Sequence, residues 1–328
     1  MTLQTLSRAC IFLAASVLAQ TAPSPVSAPT FDAASVRPSK PGIPQHTNVP
    51  LDSGNVYGTI SPDDARTAAG GFLTATHQPL WRYISFAYKL SGTQELALRF
   101  SIFSGVPKSG APFWVTGSFD AAPEFFDISA RAPADTSIDQ MRLMMRSLLA
   151  DRFQLVTHFV TAEAPVFALT LVHPGVTGPN LQPHPPSDNC TPAAPDQSSS
   201  SAPSPPAAHF TVGELPPVCG VIAHVPSSAP GQHFGGRRVP LALIASSIPT
   251  MTGLAATPRP VTDQTGLSGL YDFTLIYVHD PTPNDSAVAN NLVDFREALK
   301  NQLGLALKPS RAPIDILVVD HIDHPSPN

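Results

Sequence analysis

Asp263-Gln264-Thr265-Gly266 has the form Asp-x-Thr-Gly, the kind of loop on which acid proteases carry a carboxylate. Such an enzyme needs two carboxylates sharing one proton. An aspartate in a turn can instead bond its own downstream backbone, and glycine supplies positive φ without a Cβ clash. Asp263, Thr265, Gly266, Gly269 and Asp272 are therefore read first as a structural loop and second as a functional one. His321-x-x-His324, with Asp320 and Asp323, has metal-ligand residue types. On a strand, residues three apart point to opposite faces, so these two imidazoles are not expected to converge. Gly235-Gly236-Arg237-Arg238 reads as a small basic turn before a helix, able to hold an anion or simply solvated. The chain has no His-Glu-x-x-His, no Gly-x-Ser-x-Gly and no phosphate-cradling glycine loop. A triad assembled from distant Ser, His and Asp is defined by geometry, so the sequence leaves it open. No catalytic, cofactor-binding or metal-binding residue is assigned.

Cysteine usage depends on the compartment. Arg8 is the only charge before the apolar run Ala9–Ala19, and Val17-Leu18-Ala19 places small residues at a cleavage site. Residues 1–19 read as a secretory signal, too short to span a bilayer as a helix. The expected mature protein is periplasmic or extracellular, with no membrane span. Cys10 would leave with the signal, so Cys190 and Cys219 remain. In an oxidising compartment two cysteines read as one disulfide. A zinc site is the competing reading, weak without a close Cys-x-x-Cys or a paired histidine.

Apolar residues make up 42% of the 328, enough for a sizeable core, while 38 prolines predict long irregular connections. A net charge of −5 offers no basic face for nucleic acid.

The elements that position these residues follow from periodicity. Residues 20–30 read as a disordered leader. Strands are expected at Phe31–Val36, near Asn55–Ile60, near Gly71–Thr76 and at Phe125–Ala130. Helices are expected at Leu80–Leu90, after the cap Ser137, over Pro240–Thr250 with a stop or kink at Pro249, and at Val288–Leu303. Tyr271, Phe273, Leu275 and Tyr277 alternate with Asp272, Thr274 and Ile276, the pattern of a half-buried strand. Residues 174–210 read as a flexible Pro/Ser-rich insertion.

The chain also echoes itself. Phe126-Asp127-Ile128-Ser129 parallels Tyr271-Asp272-Phe273-Thr274, and LLADRFQL (148–155) parallels ALKNQLGL (298–305). Each is followed by a short strand, a proline (Pro165, Pro313) and a second strand. The expected fold is α+β: two related α-β-α-β-β units, 31–173 and 211–328. Helices would pack on antiparallel or mixed sheets, with long Pro-rich loops between.

FDAASVRPS (31–39), LLADRFQLVTH (148–158), VTDQTGLSGLYDFTL (261–275) and the segment from Gln302 to Asn328 together resemble an uncharacterised soil-associated protein family expanded in acidobacteria. The resemblance spans the mature chain. It implies an exported protein with many paralogues and no established activity. In some members the domain follows a membrane metallopeptidase of the antibiotic-sensor type, which implies sensing or binding outside the membrane. The resemblance brings no catalytic residues. The function expected is a non-enzymatic binding or sensing module with a protein partner or small ligand in the cell envelope. An exported hydrolase and a structural envelope component are the alternatives.

Overall fold

The computed structural model describes residues 28–49, 51, 71–100, 107–117, 122–187, 190–192, 215, 218–225, 230–252, 257, 259–278 and 293–326. The signal segment, Cys10, most of the leader and the strand expected near Asn55–Ile60 lie outside these residues.

The fold is α+β. The first part of the chain forms β1 (Ala33–Pro38), β2 (His46–Thr47), β3 (Phe72–Pro79), α1 (Leu80–Tyr88), α2 (Gly92–Arg99), α3 (Phe113–Thr116), β4 (Phe125–Arg131), α4 (Ile138–Phe153) and β5 (Val156–Leu171). The second forms β6 (Leu181–Pro183), β7 (Thr191–Pro192), β8 (Val218–Cys219), β9 (Val221–His224), β10 (Gln232–Val239), α5 (Leu241–Thr252), β11 (Val261–Asp263), β12 (Tyr271–Tyr277), α6 (Phe295–Leu303) and β13 (Leu305–His321).

Local chemistry sets the helix ends. Ser137 accepts the backbone N–H of Gln140, and the Gln140 side chain returns to the Ser137 N–H. This reciprocal cap satisfies two donors that a helix start leaves open. Ser91 and Gln94 do the same for α2, a helix that sequence periodicity did not reveal although Ser-x-x-Gln was its signature. Asp294 caps α6, so this helix begins at Phe295; residues 288–292 of the expected Val288–Leu303 helix lie outside the described residues. Both α4 and α6 end on a left-handed residue, Gln154 and Gly304, where glycine carries no Cβ penalty. α5 runs past Pro249 to Thr252 rather than stopping there. Its late carbonyls find acceptor roles: Ile248 O takes the Thr252 hydroxyl at 2.9 Å, and Met251 O takes the Tyr277 hydroxyl at 2.6 Å.

Among the described residues three sheets result. The order β1-β4-β3-β2 makes one, β6-β12-β10-β8-β7 with β9 also on β10 makes the second, and β11-β5-β13 makes the third. Gly235 and Gly236 lie in the strand β10, not in a turn before a helix. A Cβ on Gly236 would stand 2.7 Å from Phe273 Cε1, so the glycine is what lets the neighbouring strand's ring pack there. Strands β6 and β7 fall inside 174–210, the stretch read as an insertion, and β6 pairs with β12 through Leu181↔Phe273.

The internal echo has a structural counterpart. With α2 and α3 of the first unit and β11 of the second set aside, β3-α1-β4-α4-β5 and β10-α5-β12-α6-β13 run through the same succession, with β3 antiparallel to β4 and β10 antiparallel to β12. The end of each unit differs from expectation. In place of a short strand, a proline and a second strand, each unit has one continuous strand, β5 or β13. The two pair antiparallel from Leu305↔Leu171 to Val319↔Thr157, with Pro165, Pro309 and Pro313 inside the ladder. The Phe167 N–H points away from β13, to Pro260 O at 2.8 Å. Phe167 faces Pro309, and the pairs Pro165↔Arg311 and Glu163↔Pro313 follow at two-residue steps. All three prolines thus occupy positions whose nitrogen faces away from the partner strand, where no ladder bond is lost.

These strands cross between two cores. The first core gathers Leu73, Tyr83, Phe86, Phe126, Met145, Leu149 and Phe153 and is completed by Leu317 and Val319 from the end of β13. The second gathers Ile244, Ile248, Phe273, Leu275, Tyr277 and Leu299 and is completed by Phe167 and Leu169 from the end of β5. Between them, Leu96 and Ala97 of α2 pack on Ala164, Val166, Ile314 and Ile316. Each unit lends the end of its last strand to the other.

Candidate functional site

Asp263 ends β11, which lies parallel to β5 with Asp263 opposite Leu169. Its Oδ1 accepts the Thr265 N–H at 2.9 Å and the Thr265 hydroxyl at 2.7 Å. The Leu267 N–H in turn donates to Thr265 Oγ1 at 3.2 Å. Gly266 and Gly269 both take positive φ, 71° and 102°. Side chain and backbone thus close a nested turn on themselves, and the carboxylate that a protease would couple to a second one is spent on its own loop. Asp52-Ser53-Gly54, another short stretch of related type, lies outside the described residues.

Asp272 sits elsewhere, on β12. Its Oδ1 accepts the backbone N–H of Arg238 at 2.8 Å and the His184 Nδ1–H at 2.8 Å. The two side chains are 9% (His184) and 13% (Asp272) exposed. A buried carboxylate fixing an imidazole is the orienting half of a triad, but the repeat argues for another role. In the first unit, Asp127 Oδ1 accepts the His77 N–H at 2.8 Å and the Ser39 hydroxyl. His77 and Arg238 both have positive φ, 51° and 56°. Each stands at a register shift, between Ala75 and Gln78 or between Gly236 and Val239. Each is followed by x-Pro-Leu and a helix: Gln78-Pro79-Leu80 or Val239-Pro240-Leu241. The aspartate therefore clamps a bulge that turns a strand into a helix. Ser39 and His184 are matched too, since both follow a proline and both donate their N–H across the strand pair, to Phe125 O and Leu270 O. The sequence signal for His184 was Leu181-Gln182-Pro183-His184 against Val36-Arg37-Pro38-Ser39, too short to notice without the register.

Cys190 and Cys219 form a disulfide with Cα atoms 5.5 Å apart. It links the residue just before β7 to β8, across the short parallel pair that forms the edge of the second sheet. Closing a loop of this size stabilises a fold by about 2–4 kcal/mol. Reduction is therefore expected to lower the urea midpoint by the equivalent amount, and a Cys190→Ser/Cys219→Ser variant is expected to match the reduced wild type. The two histidines near the C-terminus do not converge. His321 Nε2 meets Asp323 at 3.1 Å, while His324 Nε2 meets Glu124 at 3.2 Å and its ring stacks on Trp114. Among the described residues no cluster of three or more His, Cys, Asp or Glu could hold a metal ion.

A family model described as "Protein of unknown function (DUF3738)" matches residues 82–322. The chain belongs to this family. No curated protein and no solved structure matches it. The DUF3738 match begins inside α1 and ends just past β13. The folded body reaches further towards the N-terminus, because β1 and β3, both before the match, flank β4 within it.

One polar cluster within the DUF3738 region went unnoticed in the sequence. Glu95 and Arg99 of α2 pair at 3.5 Å, with side chains only 17% and 27% exposed. Ser85 of α1 lies beside Glu95, and Arg82 adds a second positive charge nearby. The Arg99 guanidinium stacks 3.9 Å from the centre of the Trp81 ring. Burial pushes the Glu95 carboxyl above the ordinary glutamate range, although Arg99, Arg82 and Ser85 pull the other way. Burial likewise lowers the Arg99 guanidinium, opposed by Glu95. The i, i+4 spacing of Glu95 and Arg99 suggests an ordinary surface pair; the packing of α2 among α1, α5 and β13 is what shields it. A raised carboxyl contributes stability that is present below its unfolded value and lost as pH rises through the folded one. Glu95→Gln lacks that loss. Its stability relative to wild type should therefore increase as pH rises from about 4.5 to neutrality, as read from urea midpoints along that range.

Proposed function

We propose that this chain is an exported, non-enzymatic binding or sensing module acting outside the cytoplasmic membrane, within the soil-associated acidobacterial group that its motifs resemble. The observation that carries the reading is where the chemistry-bearing groups go. Asp263 is held by Thr265, Asp272 by Arg238 and His184, and His324 by Glu124 and Trp114. They build turns and bulges in separate places and do not meet around one reacting centre. The apolar run Ala9–Ala19 and a disulfide in the second unit support export.

Native mass spectrometry of the protein, isolated gently from its host, tests this. The expected species lacks residues 1–19, has no free thiol and carries extra mass that leaves on denaturation. An intact N-terminus with three reactive thiols, Cys10 included, would sink the export claim. A bare monomer at full yield would sink tight ligand binding.

The buried Glu95 beside Ser85 favours a second reading, an exported hydrolase, because shifted carboxyls in polar clusters also serve acid–base chemistry. Hydrolysis of an ester or peptide library that Glu95→Gln abolishes, with the fold intact, would move the conclusion there.

A further inference from the structure

Arg259 and Arg296 approach the same ring. Their guanidinium carbons lie 5.4 Å and 5.0 Å from the centre of Phe167. Both arginines are exposed, whereas Phe167 is 9% exposed and belongs to the second core. Arg99, Arg142 and Arg152 each have a carboxylate within ion-pair range; among the described residues Arg259 and Arg296 have none.

The repeat supplies an internal comparison. Counted back from the matched helix ends Gln154 and Gly304, Arg296 of α6 corresponds to Arg146 of α4. Arg146 is occupied: its Nε donates to Ala87 O at 2.7 Å near the end of α1, and its guanidinium lies on Tyr88. In the second unit the matching arginine has no such carbonyl among the described residues and shares its ring with a second cation. Two like charges gathered on one ring repel, and an anion that reaches both turns that repulsion into attraction. Arginine's planar fork suits carboxylate and phosphate oxygens.

We propose that Arg259 and Arg296, braced on Phe167, form a binding site for an oxyanion group, a carboxylate or phosphate, on a small ligand. This deepens the binding reading above and rests on it for its purpose. Export can fail while the site stands, because the test does not depend on where the chain resides.

The test is calorimetric titration of the folded protein at low ionic strength with inorganic phosphate and, separately, with citrate. Saturable binding of at least one probe is expected, weakening as salt is raised. Arg259→Gln and Arg296→Gln should each weaken it about tenfold, and the double variant should abolish it with an unchanged unfolding midpoint. Arg311→Gln, which removes an exposed guanidinium on the middle of β13, should leave it within about twofold. Preference for phosphate would identify a phosphorylated ligand, and preference for citrate a carboxylate. No binding by wild type, or equal binding by the double variant, overturns the proposal.

Discussion

Cut between residues 200 and 201, the two halves of this chain are expected to remain unfolded alone and to regain the native structure when mixed under oxidising conditions. The first half would lack Leu317 and Val319, which are 0% and 5% exposed inside its core. The second would lack Phe167 and Leu169, which complete its own. Each such side chain contributes about 1.5–3 kcal/mol by burial, against a total stability of about 5–15 kcal/mol for a typical domain. Each half would also expose one side of a ladder that runs the full length of β5. On mixing, Cys190 on one fragment and Cys219 on the other should join them, giving one covalent species on a non-reducing gel. A cooperative unfolding transition from either fragment alone, followed by near-UV circular dichroism, would show that the strand exchange is dispensable. Leu317→Ala in the intact chain tests the same point: a truncation close to the C-terminus should cost about 2–5 kcal/mol and loosen the first unit.

Asp272→Ala is expected to cost about 2–4 kcal/mol, since it takes the acceptor from two donors, one on the largely buried His184 at about 1–3 kcal/mol and one on the exposed Arg238 at about 1 kcal/mol. The donors are the Arg238 N–H and the His184 Nδ1–H. The loss also releases a non-glycine residue held at φ 56°, a conformation that persists only when its surroundings over-determine it. Asp272→Asn keeps one acceptor oxygen and should recover part of the loss. Asp127→Ala should behave like Asp272→Ala, because His77 and Ser39 occupy the matching places. Asp263→Ala removes bonds confined to one turn and should cost about 1 kcal/mol. Urea midpoints decide the matter. If Asp272→Ala shifts the midpoint no more than an ordinary surface change, about 0.5 kcal/mol, the bulge is held by something else, and the Asp272–His184 pair becomes free for a functional role.

Much of the local structure was legible because its causes are local. Ser137 caps α4 through a residue three positions away. The alternation of Tyr271, Phe273, Leu275 and Tyr277 predicts the buried face of β12, and all four are buried. Asp263 turns on Thr265 two residues later. Even the repeat could be read, because Asp127 and Asp272 stand at matching points of matching strands. Of the candidate loop, Asp263 and Asp272 proved to serve different structures, one a turn and one a bulge. The partners that reveal this, Arg238 and His184, lie 34 and 88 positions from Asp272 in the chain.

Residue type and short-range period were enough for the α+β class and the two echoing units, whereas the pairing of Cys190 with Cys219 was expected only through the export signal read in residues 1–19. It took the folded chain to show that β5 and β13 run unbroken through their prolines, that each completes the other unit's core and that Glu95 is largely buried. The physical reason is that strand partnership and burial are set by surfaces meeting across more than a hundred residues of chain. A period of two tells which side chains share a face, but not which sheet or core that face will meet.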